Sequence, residues 1–443
     1  MSTAVTNVDV VVVGAGFAGL AAAADLVERG KSVLLFEARG RVGGRSLTRW
    51  LDDGTPVDLG GQWIGPTQDA MYDLVRRFGI ETYPLPTEGR AVCRVGDQSL
   101  DALPAGAERL LEAFDRLAAT VDTDRPWAHP DAKRLDSMTF ATWLAEQPAG
   151  SDDEKALVGR LLAGGLQTVS AAEASVLSLA FYVASGGGVR SLLDAEGGAQ
   201  QDRIVGGSQA IALALAATLP EGTLRLSEPV LSVHHDDEGV TVRTSDDTVR
   251  AAHAIVASPA STLSGIAFVP ALPVLKRIAL GRLQPGVGLK VNLVYDTPFW
   301  REAGLSGQST HSSGIVTETA DGTTPETPGG VLTAFSYGGD ALRLRTRPEA
   351  ERAAAIAEAL APVFGPRVHD YRAVVTLDWS EERFTGGCFS AGFGPDGLTE
   401  LGEALRQPVG RVHFAGTEYA GVWNGYFEGA VRSGREAARA AAA

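Results

Sequence analysis

The sequence predicts a fold that joins an α/β part to an α+β part, and three observations lead to this prediction. A buried strand that runs into a glycine turn and a helix occurs at residues 10–29 and again at residues 411–442. Residues 103–199 carry helical patterns interrupted by proline and glycine. Residues 281–374 include alternating strand patterns. We therefore expect a Rossmann-type nucleotide-binding domain with an inserted substrate domain of helices and a mixed or antiparallel sheet.

The same observations set the expected domain boundaries. Because the two strand–turn–helix units resemble each other, the two ends of the chain are expected to meet in space, which makes the nucleotide-binding domain discontinuous. That domain is assigned residues 1–83, 200–280 and 375–443. The substrate domain is assigned residues 84–199 and 281–374.

The first glycine turn carries the most specific motif. Gly14, Ala15 and Gly16 begin a G-x-G-x-x-G pattern that ends at Gly19. This spacing allows a tight turn, lets a pyrophosphate approach the backbone, and lets the helix pack closely on its strand. Glu37 follows Gly19 at nearly the spacing expected for a ribose-binding acid, which is ~20 residues. Its negative charge favours FAD or NAD over NADP. The alternative is a glycine-rich turn in an ordinary βαβ unit.

Two further segments extend the predicted cofactor site. Residues 38–46 place glycines among three arginines, which favours a loop around a diphosphate, and the alternative is a plain basic loop. Residues 57–65 form a strand that ends in Gly-Gly, where a ligand can approach the backbone. The residues expected to contact the cofactor here are Ala38, Arg39, Gly44, Arg45, Gly61, Gln62 and Trp63.

Elsewhere the hydrophobic patterns predict further helices and strands. Helices are predicted over residues 67–79, 106–121, 139–146, 153–162, 171–183, 209–217, 348–360 and 426–442. Strands are predicted over residues 32–36, 224–226, 230–233, 240–243, 254–257, 288–296 and 331–337.

Composition excludes several classes of function. The net charge of −15 over 443 residues argues against nucleic acid and against anionic membrane surfaces as partners. Two distant cysteines form neither a disulfide framework nor a metal site. The sequence has no apolar run of about 18 residues and no secretory signal, so a cytoplasmic protein without a membrane partner is expected. A homodimer is left open.

Six motifs in one order resemble a known family. They are GAGFAGL with EA at 37–38, RVGGR at 41–45, LGGQWIGP at 59–66, VGGSQ at 205–209, WSEERFTGGCF at 379–389 and FAGTEYAGVWNGYFEGA at 414–430. Together they resemble the flavin monoamine oxidases. The resemblance implies an enzyme with FAD in an extended form that oxidises a primary or secondary amine to an imine. It implies hydride transfer to flavin N5, hydrolysis of the imine to an aldehyde or ketone, and reduction of O₂ to H₂O₂.

The resemblance also implies roles for catalytic residues. Lys290 matches the lysine that holds a water against flavin N5; on sequence alone, a lysine in an apolar strand either reaches solvent or faces a cavity. Tyr426 and Phe389 match the aromatic pair that guides the amine, and the alternative is that both are core residues. Phenylalanine at 389 predicts a substrate that is apolar near its nitrogen. An apolar pocket favours the neutral amine, so no dedicated base is expected.

The remaining site predictions follow from the same resemblance. Further cofactor contacts are implied for Val230, Trp379, Gly416, Glu418, Gly425 and the Phe427 amide. Cys388 stands where some members join a cysteine sulfur to the flavin, while others hold FAD without a covalent bond. Gln167, Phe181 and Tyr182 are candidates for the substrate pocket, or ordinary core.

Two alternative functions remain open at this point. The first is a polyamine, diamine or L-amino-acid oxidase on the same fold. A diamine oxidase needs an acid deep in its tunnel and an amino-acid oxidase needs a buried arginine, and the sequence places neither. The second is a flavin-binding scaffold without turnover, which Lys290 and Tyr426 argue against.

Overall fold

A computed structural model describes residues 6–326 and 329–443 of the chain. The strands are β1 Thr6–Val13, β2 Val33–Phe36, β3 Thr48–Trp50, β4 Pro56–Asp58, β5 Trp63–Ile64, β6 Thr82–Pro84, β7 Arg90–Val95, β8 Gln98–Leu100, β9 Asp202–Ile204, β10 Leu224–Arg225, β11 Ser232–His235, β12 Val240–Arg243, β13 Thr248–Val256, β14 Ala267–Val269, β15 Leu283–Gly286, β16 Gly288–Tyr295, β17 Leu305–His311, β18 Glu318–Asp321, β19 Gly330–Tyr337, β20 Ala373–Leu377, β21 Cys388–Phe393 and β22 Val412–Phe414.

The helices are α1 Phe17–Glu28, α2 Asp69–Phe78, α3 Ala105–Ala118, α4 Ala132–Ser137, α5 Phe140–Glu146, α6 Asp152–Gly159, α7 Gly165–Gln167, α8 Val176–Ser185, α9 Val189–Leu193, α10 Gln209–Ala217, α11 Val274–Arg282, α12 Phe299–Glu302, α13 Gly338–Arg345, α14 Glu349–Phe364, α15 Gly397–Arg406 and α16 Phe427–Ala442. A π-helical turn, Arg160–Gly164, joins α6 to α7.

The first large sheet brings the two ends of the chain together. Its strand order is β10-β2-β1-β13-β12-β11-β14, and β22 also pairs with β13. The pairs β2–β1, β1–β13 and β13–β22 are parallel, so their carboxyl ends lie at one edge of the sheet. Ligands bind at this edge in open α/β sheets. The predicted discontinuous Rossmann-type domain is therefore present.

Small residues allow the two terminal helices to pack closely over this sheet. A Cβ at Gly19 of α1 would lie 1.8 Å from the carbonyl oxygen of Gly14, and a Cβ at Gly434 of α16 would lie 2.1 Å from that of Ala18. Neither position has room for a larger side chain. This close packing holds the beginning of α1 against the middle of α16.

The second large sheet has the order β20-β16-β19-β18-β17-β7-β8. Only the pair β17–β7 is parallel among its described ladders, so the sheet is mixed, as predicted. Strands β16 and β19 are buried along their whole length. Lys290 of β16 lies opposite Phe335 of β19, which carries both side chains to the same region.

The structure corrects several element predictions. Strands β7 and β8 were not predicted, because their short, half-exposed sequences alternate weakly. The helix predicted over 171–183 begins only at Val176, where the Ser175 side chain accepts from the Ser178 N–H and caps it. The strand predicted over 230–233 is Ser232–His235, because Val230 leaves the sheet to line a cavity.

Candidate active site

A cavity of about 510 Å³ connects the two large sheets. One part lies at the carboxyl edge of the first sheet, beside Gly14 and Glu37. The other part is lined by Lys290, Phe335 and Tyr337 of the second sheet. This volume is in the range of sites that enclose small-molecule ligands.

Most of the predicted cofactor residues line this cavity together. They are Gly14, Gly16, Glu37, Ala38, Arg39, Gly44, Arg45, Gly61, Gln62, Trp63, Val230, Trp379, Cys388, Gly416, Gly425 and Phe427. Three predicted residues are placed differently. The Ala15 N–H donates to Glu37 Oε2 at 2.8 Å, Gly19 packs α1 on its strand, and Glu418 pairs with Arg45.

Lys290 faces the cavity rather than solvent, with only 7% of its surface exposed. Its Nζ donates to the carbonyl of Gly60 at 3.0 Å and to the side-chain oxygen of Gln62. Burial lowers the pKa of Lys290 to about 7, and Asp58 opposes this shift only in part. Two oxygen acceptors therefore hold the Lys290 amino group at the cavity wall.

Phe389 and Tyr426 line the same cavity. The Phe389 ring meets Tyr337 edge to face, with ring centroids 5.6 Å apart. Tyr426 lies against Trp423, with ring centroids 4.9 Å apart, and against Tyr182, with ring centroids 6.0 Å apart. Aromatic neighbours therefore fix both rings at the cavity wall.

The structure adds an acid that the sequence reasoning missed. Glu318 of β18 lines the cavity, and the Tyr337 hydroxyl donates to its Oε1 at 2.6 Å. Enclosure within the protein raises the pKa of Glu318, and the bond from Tyr337 opposes that shift. Gly165 leaves room beside the carboxyl group, because a Cβ there would still be 3.8 Å from Oε1. Strand β18 was not predicted from the sequence, so the Glu318 side chain could not be placed in the cavity at that stage.

The comparison with known proteins decides the family. A family model described as flavin containing amine oxidoreductase matches residues 17–442. The chain belongs to this family. It is therefore an oxidoreductase that acts on amines, and its cofactor is FAD.

Individual relatives are similar over nearly the whole chain. A putrescine oxidase of Kocuria rosea is 36% identical, over 97% of this chain and 94% of that protein. The human amine oxidase [flavin-containing] B is 32% identical, over 97% of this chain and 85% of that protein. The structure of cyclohexylamine oxidase from Brevibacterium oxydans IH-35A superposes with a TM-score of 0.94 at 35% identity, covering 98% of each chain.

Two features of the cavity wall suit FAD: buried hydrogen-bond donors, and backbone that a pyrophosphate can approach. A Cβ at Gly16 would meet only the Gly44 Cα, at 3.8 Å, so the backbone there is open to a pyrophosphate. The Glu37 carboxyl faces the same region. Within the described chain, the buried Gln62 Nε2 and Trp63 Nε1 donors have no partner, and both residues line the cavity. Such donors suit the acceptor atoms of a flavin.

Cys388 lines the cavity and is buried. Its Sγ lies 3.6 Å from the carbonyl oxygen of Gly286 and 3.5 Å from that of Gly288. Burial raises the pKa of the Cys388 thiol to about 12. The Cys388 side chain therefore borders the cavity with its thiol protonated at neutral pH.

The predicted pocket residues divide between two cavities. Tyr182 lines the large cavity, but Gln167 and Phe181 line a smaller one of about 40 Å³ behind it. Tyr182 lies on both. In the described ranges no group of three His, Cys, Asp or Glu side chains is placed to hold a metal. No helix in those ranges has the length and apolar character needed to cross a bilayer.

Proposed function

We propose that this chain is an FAD-dependent oxidase that converts an amine to an imine, which is hydrolysed to an aldehyde or ketone, with reduction of O₂ to H₂O₂. The observation that carries the proposal is one cavity shared by the predicted cofactor residues and by Lys290, Phe389 and Tyr426. FAD supplies the acceptor for the hydride of the amine α-carbon and the reductant for O₂.

The residues of this chain bind the amine and prepare it for oxidation. Phe389 and Tyr426 hold the reacting nitrogen between aromatic faces. The low polarity of this region disfavours the ammonium form, so the amine is present with its lone pair free. Lys290, with its pKa of about 7, provides a proton and a positive charge where O₂ is reduced.

Glu318 favours a substrate with a second ammonium group. Its carboxyl lines the cavity and is close enough to Tyr426 to affect the pKa of that phenol. A diamine could place one nitrogen at the aromatic pair and its other, charged nitrogen at Glu318, where burial strengthens the ion pair. The carboxylate of an amino acid would be repelled by Glu318, so an amino-acid oxidase is less well supported. An aliphatic diamine or polyamine is therefore our preferred substrate class.

A monoamine with an aromatic or cyclic body is the second candidate. Trp63, Phe335, Tyr337 and Phe389 form an apolar cluster at this end of the cavity, which suits such a body. In that case the Glu318 carboxyl group would stay neutral, with the Tyr337 hydroxyl as its hydrogen-bond partner.

A substrate panel with peroxide detection tests both candidates. Putrescine and cadaverine are compared with butylamine, pentylamine, benzylamine, cyclohexylamine and an L-amino acid. We expect the diamines to exceed the monoamines of equal chain length in kcat/KM. A preference for benzylamine or cyclohexylamine would select the second candidate, and a protein that binds FAD but releases no peroxide with any amine would overturn the proposal.

A further inference from the structure

The aromatic wall at Phe389 is built on an irregular stretch of strand β21. In the pairing of β15 with β21, Pro285 lies opposite Ala391 and Gly286 lies opposite Cys388. Phe389 and Ser390 therefore have no opposite residue, which is the pattern of a β-bulge. Phe389 also has a φ of +54°, a left-handed conformation that is unusual for a bulky side chain. Such a backbone persists only where its surroundings hold it.

Arg45 provides that support from a distant part of the sequence. Its Nη1 donates to the carbonyl oxygen of Phe389 at 2.7 Å. The same guanidinium donates to Glu418 through Nη1 at 2.6 Å and through Nη2 at 3.3 Å. The fork of an arginine can bridge a carboxylate and a carbonyl at once, which the single ammonium of a lysine cannot do in the same geometry.

The backbone of Arg45 is also fixed. Its carbonyl oxygen accepts the Gly61 N–H at 3.3 Å, and a Cβ at Gly60 would lie only 1.9 Å from that oxygen. The Gly60 carbonyl in turn accepts from Lys290 Nζ at 3.0 Å. One residue of the arginine-rich loop is therefore in contact with the segment that holds Lys290 and with the segment that carries Phe389.

We propose that Arg45 is a positioning residue for the reaction, which holds the Phe389 wall in its bulged conformation and at a fixed distance from the Lys290 anchor. This inference deepens the proposed function and rests on it, because the wall matters only if an amine binds there. It differs from the predicted role of Arg45 as a donor to the diphosphate, since its guanidinium faces Glu418 and Phe389.

The first test uses the flavin-loaded protein and two matched variants. Arg45→Lys keeps the charge but loses the fork, whereas Arg39→Lys changes an arginine of the same loop that pairs with Glu382 and does not touch Phe389. Hydrogen exchange is followed by mass spectrometry on peptides that cover residues 386–392. We expect faster exchange in Arg45→Lys than in wild type or Arg39→Lys. Equal exchange in all three proteins would overturn the proposal.

The second test is a double-mutant cycle with Phe389→Gly, which removes the ring and tolerates a positive φ. At saturating FAD, Arg45→Lys should lower kcat/KM about tenfold in the wild-type background and change it little in the Phe389→Gly background. Equal losses in both backgrounds would mean that Arg45 does not act through Phe389.

These outcomes are separable from failure of the proposed function. If no amine is oxidised, the proposed function fails while the exchange experiment still reports on Arg45. If Arg45→Lys does not fold, Glu418→Gln loosens the same guanidinium and takes its place, with the same expected exchange and the same contradicting result.

Discussion

The hydroxyl of Tyr337 donates a 2.6 Å hydrogen bond to the carboxyl group of Glu318, and both side chains line the cavity that contains the predicted flavin and amine residues. An ionisable acid beside the aromatic cluster gives this part of the cavity two chemically different surfaces. The aromatic rings suit a neutral amine, and the Glu318 carboxylate suits a cation.

Replacement of Glu318 should therefore change substrate preference. We expect Glu318→Gln to lower kcat/KM for putrescine about 100-fold, because a desolvated ammonium loses its charged partner. The value for butylamine should change less than about threefold. Tyr337→Phe is the matched control, since it removes the same hydrogen bond but keeps the carboxyl group and should keep the preference for diamines. Equal losses for putrescine and butylamine in Glu318→Gln would contradict this assignment.

The pH dependence of diamine oxidation should reveal the same carboxyl group. The pKa of Glu318 is raised above its ordinary value of 4.5, and only its ionised form attracts the second ammonium. The kcat/KM for a diamine should therefore rise with pH through that raised pKa, while the profile of a monoamine lacks this rise. Tyr337→Phe should shift the rise to higher pH, because the lost hydrogen bond favours the ionised form. Identical profiles for diamine and monoamine would contradict the prediction.

Lys290 should matter for reoxidation more than for substrate binding. We expect Lys290→Met to slow the reaction of reduced enzyme with O₂ about 10-fold to 100-fold, because a positive charge near the developing oxygen anion is lost. The affinity for the amine should change little. Stopped-flow mixing of anaerobically reduced protein with oxygenated buffer measures this rate.

Lys276 offers a matched control for Lys290. It is also buried, and burial lowers its pKa to about 7 as well, but its Nζ is bound to the carbonyl of Gln407 and the residue does not line the cavity. Lys276→Met should lower thermal stability and leave the reoxidation rate unchanged. Similar reoxidation rates in Lys290→Met and wild type would refute the role of Lys290.

Linkage of FAD to Cys388 should depend on the pH of loading. The thiolate is the reactive form, and burial raises the pKa of this thiol to about 12. The fraction of flavin that stays with acid-denatured protein should therefore increase with the pH at which FAD was added. Cys388→Ser should release all of its flavin, whereas Cys93→Ser should behave as wild type. Complete release from the wild type at every pH would show that the flavin is not covalently bound.

The sequence predicted the parts of the site that depend on local backbone patterns. The glycine turn at Gly14 and the strand around Lys290 were both recognisable from spacing and periodicity. Each of these combines a regular apolar pattern with a residue type that has a narrow range of uses, such as glycine at a turn.

The parts that were missed depend on contacts between distant segments. Glu318 lies on a short strand with little hydrophobic periodicity. Its position in the cavity becomes evident only when β18 is paired with β19. The partners of Arg45 lie 344 and 373 residues away along the chain. Gln167 and Phe181 have the expected residue types but lie behind Tyr182, in the smaller cavity. Spacing along the chain contains no information about such arrangements.

The pairing of β13 with both β1 and β22 has a consequence for biosynthesis. Val256 lies between Val13 and Phe414 in the sheet, so a strand made early during translation waits for one made much later. A ribosome-bound chain can form β1, β2 and α1, but the floor of the flavin site is complete only after Phe414 and the helix behind it have left the exit tunnel. The flavin site therefore forms only when these distant strands have paired, and until then the edge of β13 around Val256 is open to wrong pairing.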